Sequence, residues 1–166
     1  MSISEGRVWK FGDDVNTDLI IPGRYLDNYD PAHLAAHAME GVSREFASRV
    51  SKGDVIVAGR NFGCGSSREQ AVIALKHAGV TAVVASSFAR IFYRNAVNLG
   101  LPVLVSKDAH ARLREGARVQ MDSATGLISE RDSDVTISTE PIPEHVSRIL
   151  EQGGLVPYIR TKIGVR

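Results

Sequence analysis

Apolar and polar residues along the chain alternate in a way that predicts strands and helices in turn. Three apolar runs are typical of buried strands: 54–58, 81–85 and 101–105. Two longer segments between them predict helices, at 66–77 and at 88–99. Gly79 and Gly100, just after these segments, are typical of helix C-termini. Strand, helix, strand, helix, strand with such short connections predicts a parallel sheet with right-handed crossovers.

The N-terminal part begins with a different pattern. Residues 6–11 alternate as in a short strand, and 12–18 form a turn-rich loop. A short apolar run, 19–21, is closed by Pro22 and Gly23. Further predicted helices follow: 33–39, started by Asp30 as N-cap and Pro31, and 43–50, with Ser43 as a possible cap.

The last third of the chain predicts an antiparallel flank. Short strands separated by turn residues are expected at 117–121, 126–129 and 134–138. A terminal helix is expected at 144–152, closed by two glycines, with a tail from Pro157. We therefore expect one α/β domain over residues 1–166, with a parallel core and a mostly antiparallel flank.

Composition narrows the functional classes. Twenty Lys and Arg residues against nineteen Asp and Glu give a net charge of +1, so no nucleic-acid-binding surface is implied. No apolar stretch approaches the ~20 residues that cross a bilayer, and residues 1–10 lack the apolar core of a signal peptide. We therefore expect a cytoplasmic protein with neither nucleic-acid nor membrane partners. A single cysteine, Cys64, excludes an internal disulfide and a self-sufficient iron–sulfur or Cys-rich zinc site.

The segment 61–70 (NFGCGSSREQ) lies where a predicted strand ends and a helix begins. Ligands bind at this position in open α/β sheets, and its glycines, Gly63 and Gly65, would allow a close backbone approach. Its polar side chains, those of Ser66, Ser67 and Arg68, suit a carboxylate or phosphate. A purely structural interpretation stays open, because Ser66 and Glu69 match a helix capping box.

Three other groups of residues allow chemistry, and each has a simpler explanation. Cys64, between two glycines, is a candidate low-pKa thiol, although packing or lining explains it better than chemistry does. An i,i+4 histidine pair, His33 and His37, fits a solvated helix face better than a metal site. Three loop aspartates, Asp13, Asp14 and Asp18, fit turn formation better than cation binding.

Three motifs together resemble a known family. They are residues 16–22 (NTDLIIP), 65–69 (GSSRE) and 87–95 (SFARIFYRN). In this order and spacing they resemble the aconitase C-terminal swivel-domain family, in its small-subunit form, which includes the small subunits of 3-isopropylmalate dehydratase and homoaconitase. The resemblance covers nearly the whole chain and implies a three-layer β/β/α domain.

The same resemblance implies a hydro-lyase that isomerises a hydroxy dicarboxylic or tricarboxylic acid by dehydration and rehydration. A [4Fe-4S] cluster with an open iron polarises the hydroxyl group in this family. The resemblance also implies that a separate large subunit holds this cluster. The two subunits would form a heterodimer or heterotetramer, and this chain would be inactive alone. The single cysteine agrees with that division.

Site residues are carried over from the family one by one. Ser66 resembles the catalytic base, and Ser67 and Arg68 resemble ligands of the substrate carboxylate. Asp18 resembles the acid that orders the site. Supporting or substrate-binding roles are implied for Thr17 and Arg24, and a bracing or partner-contacting role for Arg90. No residue of this chain is expected to bind a metal.

A segment of four residues, Tyr25, Leu26, Asp27 and Asn28, matches the family's specificity loop. Homoaconitase-type members carry an arginine there. This chain carries Asp27, whose negative charge would repel a third substrate carboxylate. This favours a dicarboxylate, most simply isopropylmalate in leucine biosynthesis. Homocitrate and methylmalate or dimethylmalate substrates stay open, as does a non-catalytic carboxylate-binding module.

Overall fold

The structure, a computed structural model, describes residues 3–166. The expected domain spans residues 1–166, so its first two residues lie outside the described range. Its strands are β1 (Ile3–Lys10), β2 (Val55–Ala58), β3 (Ala82–Ala85), β4 (Val103–Val105), β5 (Arg118–Asp122), β6 (Leu127–Glu130) and β7 (Thr136–Ser138). Its helices are α1 (Thr17–Ile20), α2 (Pro31–Ala35), α3 (Phe46–Arg49), α4 (Glu69–Ala78), α5 (Arg90–Leu99), α6 (Ala109–Arg112), α7 (Glu144–Glu151) and α8 (Leu155–Ile163), with a 3-10 turn at Gly23–Tyr25.

All seven strands of this region join in one sheet, in the order β4-β3-β2-β1-β5-β6-β7. The four strands from β4 to β1 are parallel, and β1 pairs with β2 in the register Val8 to Val55. On its other side β1 pairs antiparallel with β5, in the register Glu5 to Gln120. The N-terminal strand therefore lies at the centre of the sheet, where the parallel core meets the antiparallel flank, and the expected α/β fold is confirmed.

The parallel strands are buried on both faces. Ile56 and Ala58 of β2 pack into a core beneath α4 and α5, while Val55 and Val57 face a second core lined by α6 and the antiparallel strands. Because neither face meets water, every residue of β2 and β3 is buried. This double burial explains the continuous apolar runs in the sequence.

Several predicted element bounds are wrong, and one of them, the start of α4, matters for the candidate site. Helix α4 begins at Glu69 rather than Ser66, and its N-cap residue, Arg68, makes no side-chain capping bond. The Ser66–Glu69 capping box is therefore absent. The tail expected from Pro157 is instead helix α8. Pro157 is compatible with it because the first turn of a helix has no intrahelical use for its N–H groups.

The helix predicted at 33–39 spans only Pro31–Ala35 and gives way to turns that include Met39 at φ +59°. Asp30 makes no capping bond with its side chain, and α3 begins at Phe46 without a bond from Ser43.

Among the described residues no helix combines the length and apolarity that a membrane crossing requires.

Candidate active site

The loop between β2 and α4 is held against the segment that precedes α1. Gly63 donates its N–H to the Val15 carbonyl at 2.7 Å, and Thr17 donates its N–H to the Cys64 carbonyl at 2.9 Å. Asn16 caps α1 by accepting a hydrogen bond from the Leu19 N–H at 2.9 Å. These bonds bring the first two sequence motifs side by side, although nearly fifty residues separate them.

Thr17 fixes the backbone of Ser66. Its hydroxyl group donates to the Ser66 carbonyl at 2.9 Å, and Thr17 is only 3% exposed. The Ser66 hydroxyl group itself has no hydrogen-bond partner within residues 3–166. Because the capping box does not form, this hydroxyl is free to act on a ligand.

The two loop glycines have different physical roles. Gly63 has φ +82°, and a Cβ there would lie 2.2 Å from the Phe92 ring, so the close approach at Gly63 is to Phe92 and not to a ligand. Gly65 has φ +93°, with its nearest side-chain atoms at 3.6 Å. It allows the left-handed turn that presents Ser66 to solvent.

Arg68 is bound to α1 and the residues after it. Its Nη1 donates to Asp18 Oδ1 at 3.2 Å and to the Ile21 carbonyl at 3.2 Å. The Arg68 side chain is 19% exposed, whereas that of Asp18 is 66% exposed. The Arg68 guanidinium, followed by the Gly23 N–H at 3.1 Å, holds the pKa of the Asp18 carboxyl below its usual value.

A cavity of about 290 Å³ brings these groups together. Its polar lining is formed by Thr17, Ser66, Ser67, Arg68, Arg90 and Asn95. Ser66 and Ser67 are exposed to it, and the Asn95 side-chain amide donates to the Ser67 hydroxyl at 3.5 Å. Asn95 is a residue that sequence reasoning missed, although it closes the third motif.

The predicted specificity segment is attached to Glu40, a second residue that sequence reasoning missed. Arg24 Nη2 and the Tyr25 hydroxyl donate to Glu40 Oε1 at 2.8 and 2.6 Å. His37 Nδ1 lies 2.6 Å from Glu40 Oε2. These three contacts, with that of Tyr25 the largest, lower the pKa of Glu40 to about 2.

Arg24 therefore faces Glu40 and does not line the cavity. Leu26 packs against the main core and Asn28 accepts a bond from the Asp30 N–H at 2.9 Å. Asp27 is exposed and has no polar partner in the part of the chain described here.

The interpretation of His33 and His37 as a solvated helix face is wrong. The His37 ring stacks on Tyr25 at 3.7 Å between centroids, and His33 meets both rings edge-on. His33 Nε2 is buried without a partner. The pair serves packing around the specificity segment.

The three loop aspartates are separated in space. Asp13 pairs with Arg60 at 3.1 Å, and Asp14 accepts a bond from the Asn61 amide at 3.1 Å. The Arg60 N–H and guanidinium lower the pKa of Asp13. These two aspartates thus hold the loops together, while Asp18 alone joins the site.

The donor set of this chain does not fit an iron–sulfur cluster. Cys64 is half-buried, and its carbonyl rather than its thiol holds the loop. Residues 3–166 contain no group of three or more His, Cys, Asp or Glu side chains placed to hold a metal ion. A cluster requires three or four such ligands.

A larger cleft, of about 550 Å³, lies beside β1 and β5. Four of its charged residues already form ion pairs, Arg7 with Asp54 and Arg131 with Glu5. It holds none of the three motifs, so the smaller cavity is the candidate active site.

Comparison with known proteins gives a consistent result. Residues 33–108 match the family model described as the aconitase C-terminal domain. The methanogen homoaconitase small subunit of Methanothermobacter thermautotrophicus is 56% identical over 96% of this chain and 92% of its own. The 3-isopropylmalate dehydratase small subunit 1 of Methanopyrus kandleri is 52% identical over 95% and 93%.

A solved structure agrees with these relatives. The crystal structure of 3-isopropylmalate dehydratase from Methanocaldococcus jannaschii superposes with a TM-score of 0.93 at 49% identity. The match covers 98% of this chain and 96% of that one.

Proposed function

Because this chain belongs to the family of 3-isopropylmalate dehydratase and homoaconitase small subunits, which carry the aconitase C-terminal domain, we propose that it is the small subunit of a hydro-lyase. Its substrate is isopropylmalate, which it isomerises between the 2- and 3-hydroxy forms in leucine biosynthesis. We place the enzyme in the cytoplasm. The observation that carries the proposal is the cavity that unites the unpartnered Ser66 hydroxyl with Ser67 and Arg68.

The geometry supports different roles for the residues that line this cavity. Ser67 and Arg68 bind one substrate carboxylate, by a hydroxyl hydrogen bond and a charge-assisted one. Ser66 Oγ, as the alkoxide, takes the proton from the carbon next to that carboxylate, the C–H electron pair forms the double bond, and hydroxide leaves the neighbouring carbon. The cluster of the complete enzyme would supply the Lewis acid that assists this departure. The unsaturated acid is then hydrated at the other position, and Ser66 returns the proton.

Two features support Ser66 as the proton-transfer group. Its carbonyl is held by the buried Thr17, so its position is fixed. The guanidinium of Arg68, two residues later, contributes positive charge on the same side of the loop, which favours an anionic oxygen. Asp18 acts through Arg68, whose Nη1 it holds.

The aconitase family implies an iron–sulfur cluster in the complete enzyme. We propose that a large subunit binds this [4Fe-4S] cluster and forms a heterodimer or heterotetramer with this chain. The single half-buried cysteine supports that assignment.

Homocitrate is the second candidate substrate, because a homoaconitase small subunit is 56% identical to this chain. Asp27 favours isopropylmalate, since its exposed and unpaired carboxylate would repel a third substrate carboxylate. Arg24 does not offset this charge because it is paired with Glu40.

An anaerobic assay with the reconstituted large subunit from the same organism tests the proposal. It compares isopropylmalate, homocitrate and citramalate, and omits each subunit in turn. We expect turnover of isopropylmalate only with both chains. Turnover by this chain alone, or none by a formed complex with an intact cluster, would overturn the proposal, and preference for homocitrate would make this chain a homoaconitase subunit.

A further inference from the structure

A second guanidinium, that of Arg90, lies at the candidate active site. Arg90 is the first residue of α5, is exposed, and lines the same cavity as Ser66 and Ser67. It has no hydrogen-bonding or ionic partner among residues 3–166, so it does not brace the site through a polar contact within them, and the partner-contacting role that the resemblance implies stays a prediction.

The backbone around Arg90 is fixed even though its side chain is free. Phe62 donates its N–H to the Ser87 carbonyl at 3.1 Å, and Ala89 donates its N–H to the Phe62 carbonyl at 2.9 Å. Phe92, one turn into α5, packs against Gly63 of the serine loop. The start of α5 is therefore locked to the loop that carries the two serines.

The two arginines of the cavity differ in what they already bind. Arg68 donates through Nη1 to Asp18 and to the Ile21 carbonyl, so part of its hydrogen-bonding capacity and charge is used within the protein. Arg90 keeps all its donors, and the first turn of α5 holds no acidic residue that would neutralise it. The positive end of the ten-residue helix adds to its charge.

A dicarboxylate substrate brings two negative charges into this cavity. One guanidinium holds one carboxylate well, because its fork of N–H donors matches the two oxygens. We propose that Arg90 binds the second substrate carboxylate, the one that Ser67 and Arg68 do not hold. This inference rests on the proposed function and makes Arg90 a binding residue for the dianion.

The test uses the assembled two-subunit enzyme with isopropylmalate. Arg90→Gln is compared with Arg94→Gln, which removes the same charge from an exposed position one turn later on α5, outside the cavity. We expect Arg90→Gln to raise KM about 10- to 100-fold, as the loss of a charged hydrogen bond does, with kcat changed less than about threefold. Arg90→Lys should recover most of the affinity, and Arg94→Gln should behave as the wild type.

Binding of the variant to the large subunit is measured in parallel. If Arg90→Gln leaves KM unchanged, or if it weakens assembly while the assembled enzyme keeps its KM, the inference is overturned. Failure of the wild-type and Arg94→Gln enzymes to turn over isopropylmalate would instead contradict the proposed function, so the two failures can be distinguished.

Discussion

Ser66 contributes two chemically different groups to the site. Its carbonyl is held by Thr17, and its hydroxyl is unpartnered and faces the cavity. The side chain can therefore be removed without loss of the bond that orders the loop.

We expect Ser66→Ala to lower kcat by about 10²- to 10⁴-fold, the usual contribution of a positioned proton-transfer group. Binding to the large subunit should be unchanged, because the carbonyl bond to Thr17 is kept. Steady-state kinetics and a pull-down with the large subunit check both. Cys64→Ala is the matched control and should cost only a modest loss; a severe loss there would favour a thiol mechanism.

Glu40 holds the predicted specificity segment by two bonds to one oxygen, and its pKa lies near 2. We expect Glu40→Gln to lower the free energy of unfolding at pH 7 by about 1–3 kcal/mol, because charge-assisted hydrogen bonds are lost. Since the folded pKa is below the ordinary value of 4.5, this stabilisation is complete above pH 4.5 and is lost as the pH falls through 2.

Urea unfolding of the wild type and of Glu40→Gln at pH 7 and at pH 2 measures this difference. Glu45→Gln is the control: its side chain is 71% exposed and pairs only with the exposed Arg49, so its removal should cost less than about 0.5 kcal/mol. An effect of Glu40→Gln that does not shrink at pH 2 would contradict the assignment.

Sequence reasoning found the serines and the arginine of the second motif, and it missed residues whose role depends on a distant contact. Asn95 ends the third motif and Glu40 lies in none, but neither position reveals its partner, since Ser67 and Tyr25 are 28 and 15 residues away in sequence. Arg90 was noticed, but only the structure shows that it lacks a partner. The roles of Ser66, Ser67 and Arg68 stay predictions until the variants are measured.

At the scale of elements, the serine loop depends on its packing against α5. Gly63 and Gly116 share a similar positive φ, +82° and +76°, but a Cβ at Gly63 would meet Phe92 at 2.2 Å while Gly116 has nothing within 4 Å. We expect both alanine variants to lose about 1–2 kcal/mol from backbone strain.

Gly63→Ala should lose about 1–3 kcal/mol more, because Phe92 has to move. Unfolding midpoints in urea compare the two variants, and circular dichroism verifies that each is folded. Equal losses would show that the fit of Phe92 to the loop contributes nothing to stability.

Strand centres were predictable and helix starts were not. Buried strands leave continuous apolar runs, as in β2 and β3, because both their faces are covered. The start of α4 was misplaced because Ser66 and Glu69 satisfy a local capping pattern, whereas the bond from Thr17 to the Ser66 carbonyl holds the loop open. Helix α8 was missed because its proline suggested a break.

At the scale of the whole molecule, one sheet joins the two cores, since β1 pairs with β2 on one side and β5 on the other. We expect residues 1–166 to unfold in one cooperative transition. Trp9, the only tryptophan, lies in β1, and its Nε1 donates to Asp54 at 2.9 Å, so its fluorescence reports on the junction.

Fluorescence and far-ultraviolet circular dichroism should give coincident urea transitions. A variant with Asp54→Asn keeps an acceptor for Trp9 but lowers stability, and its two transitions should shift together. Separate transitions would show that the antiparallel flank is an independent unit.

The central position of β1 also determines the order in which a ribosome can complete the protein. β1 is made first, and β2 to β4 and every residue of the candidate site have followed by Val105. Its other neighbour, β5, ends at Asp122, which at about 5–20 residues per second emerges on the order of a second later. During that interval every residue of the candidate site has been made, while the side of β1 that will pair with β5 is still unpaired. Glu5 and Arg7, which pair there with β5 in the finished protein, place charges on that edge and oppose pairing with other chains.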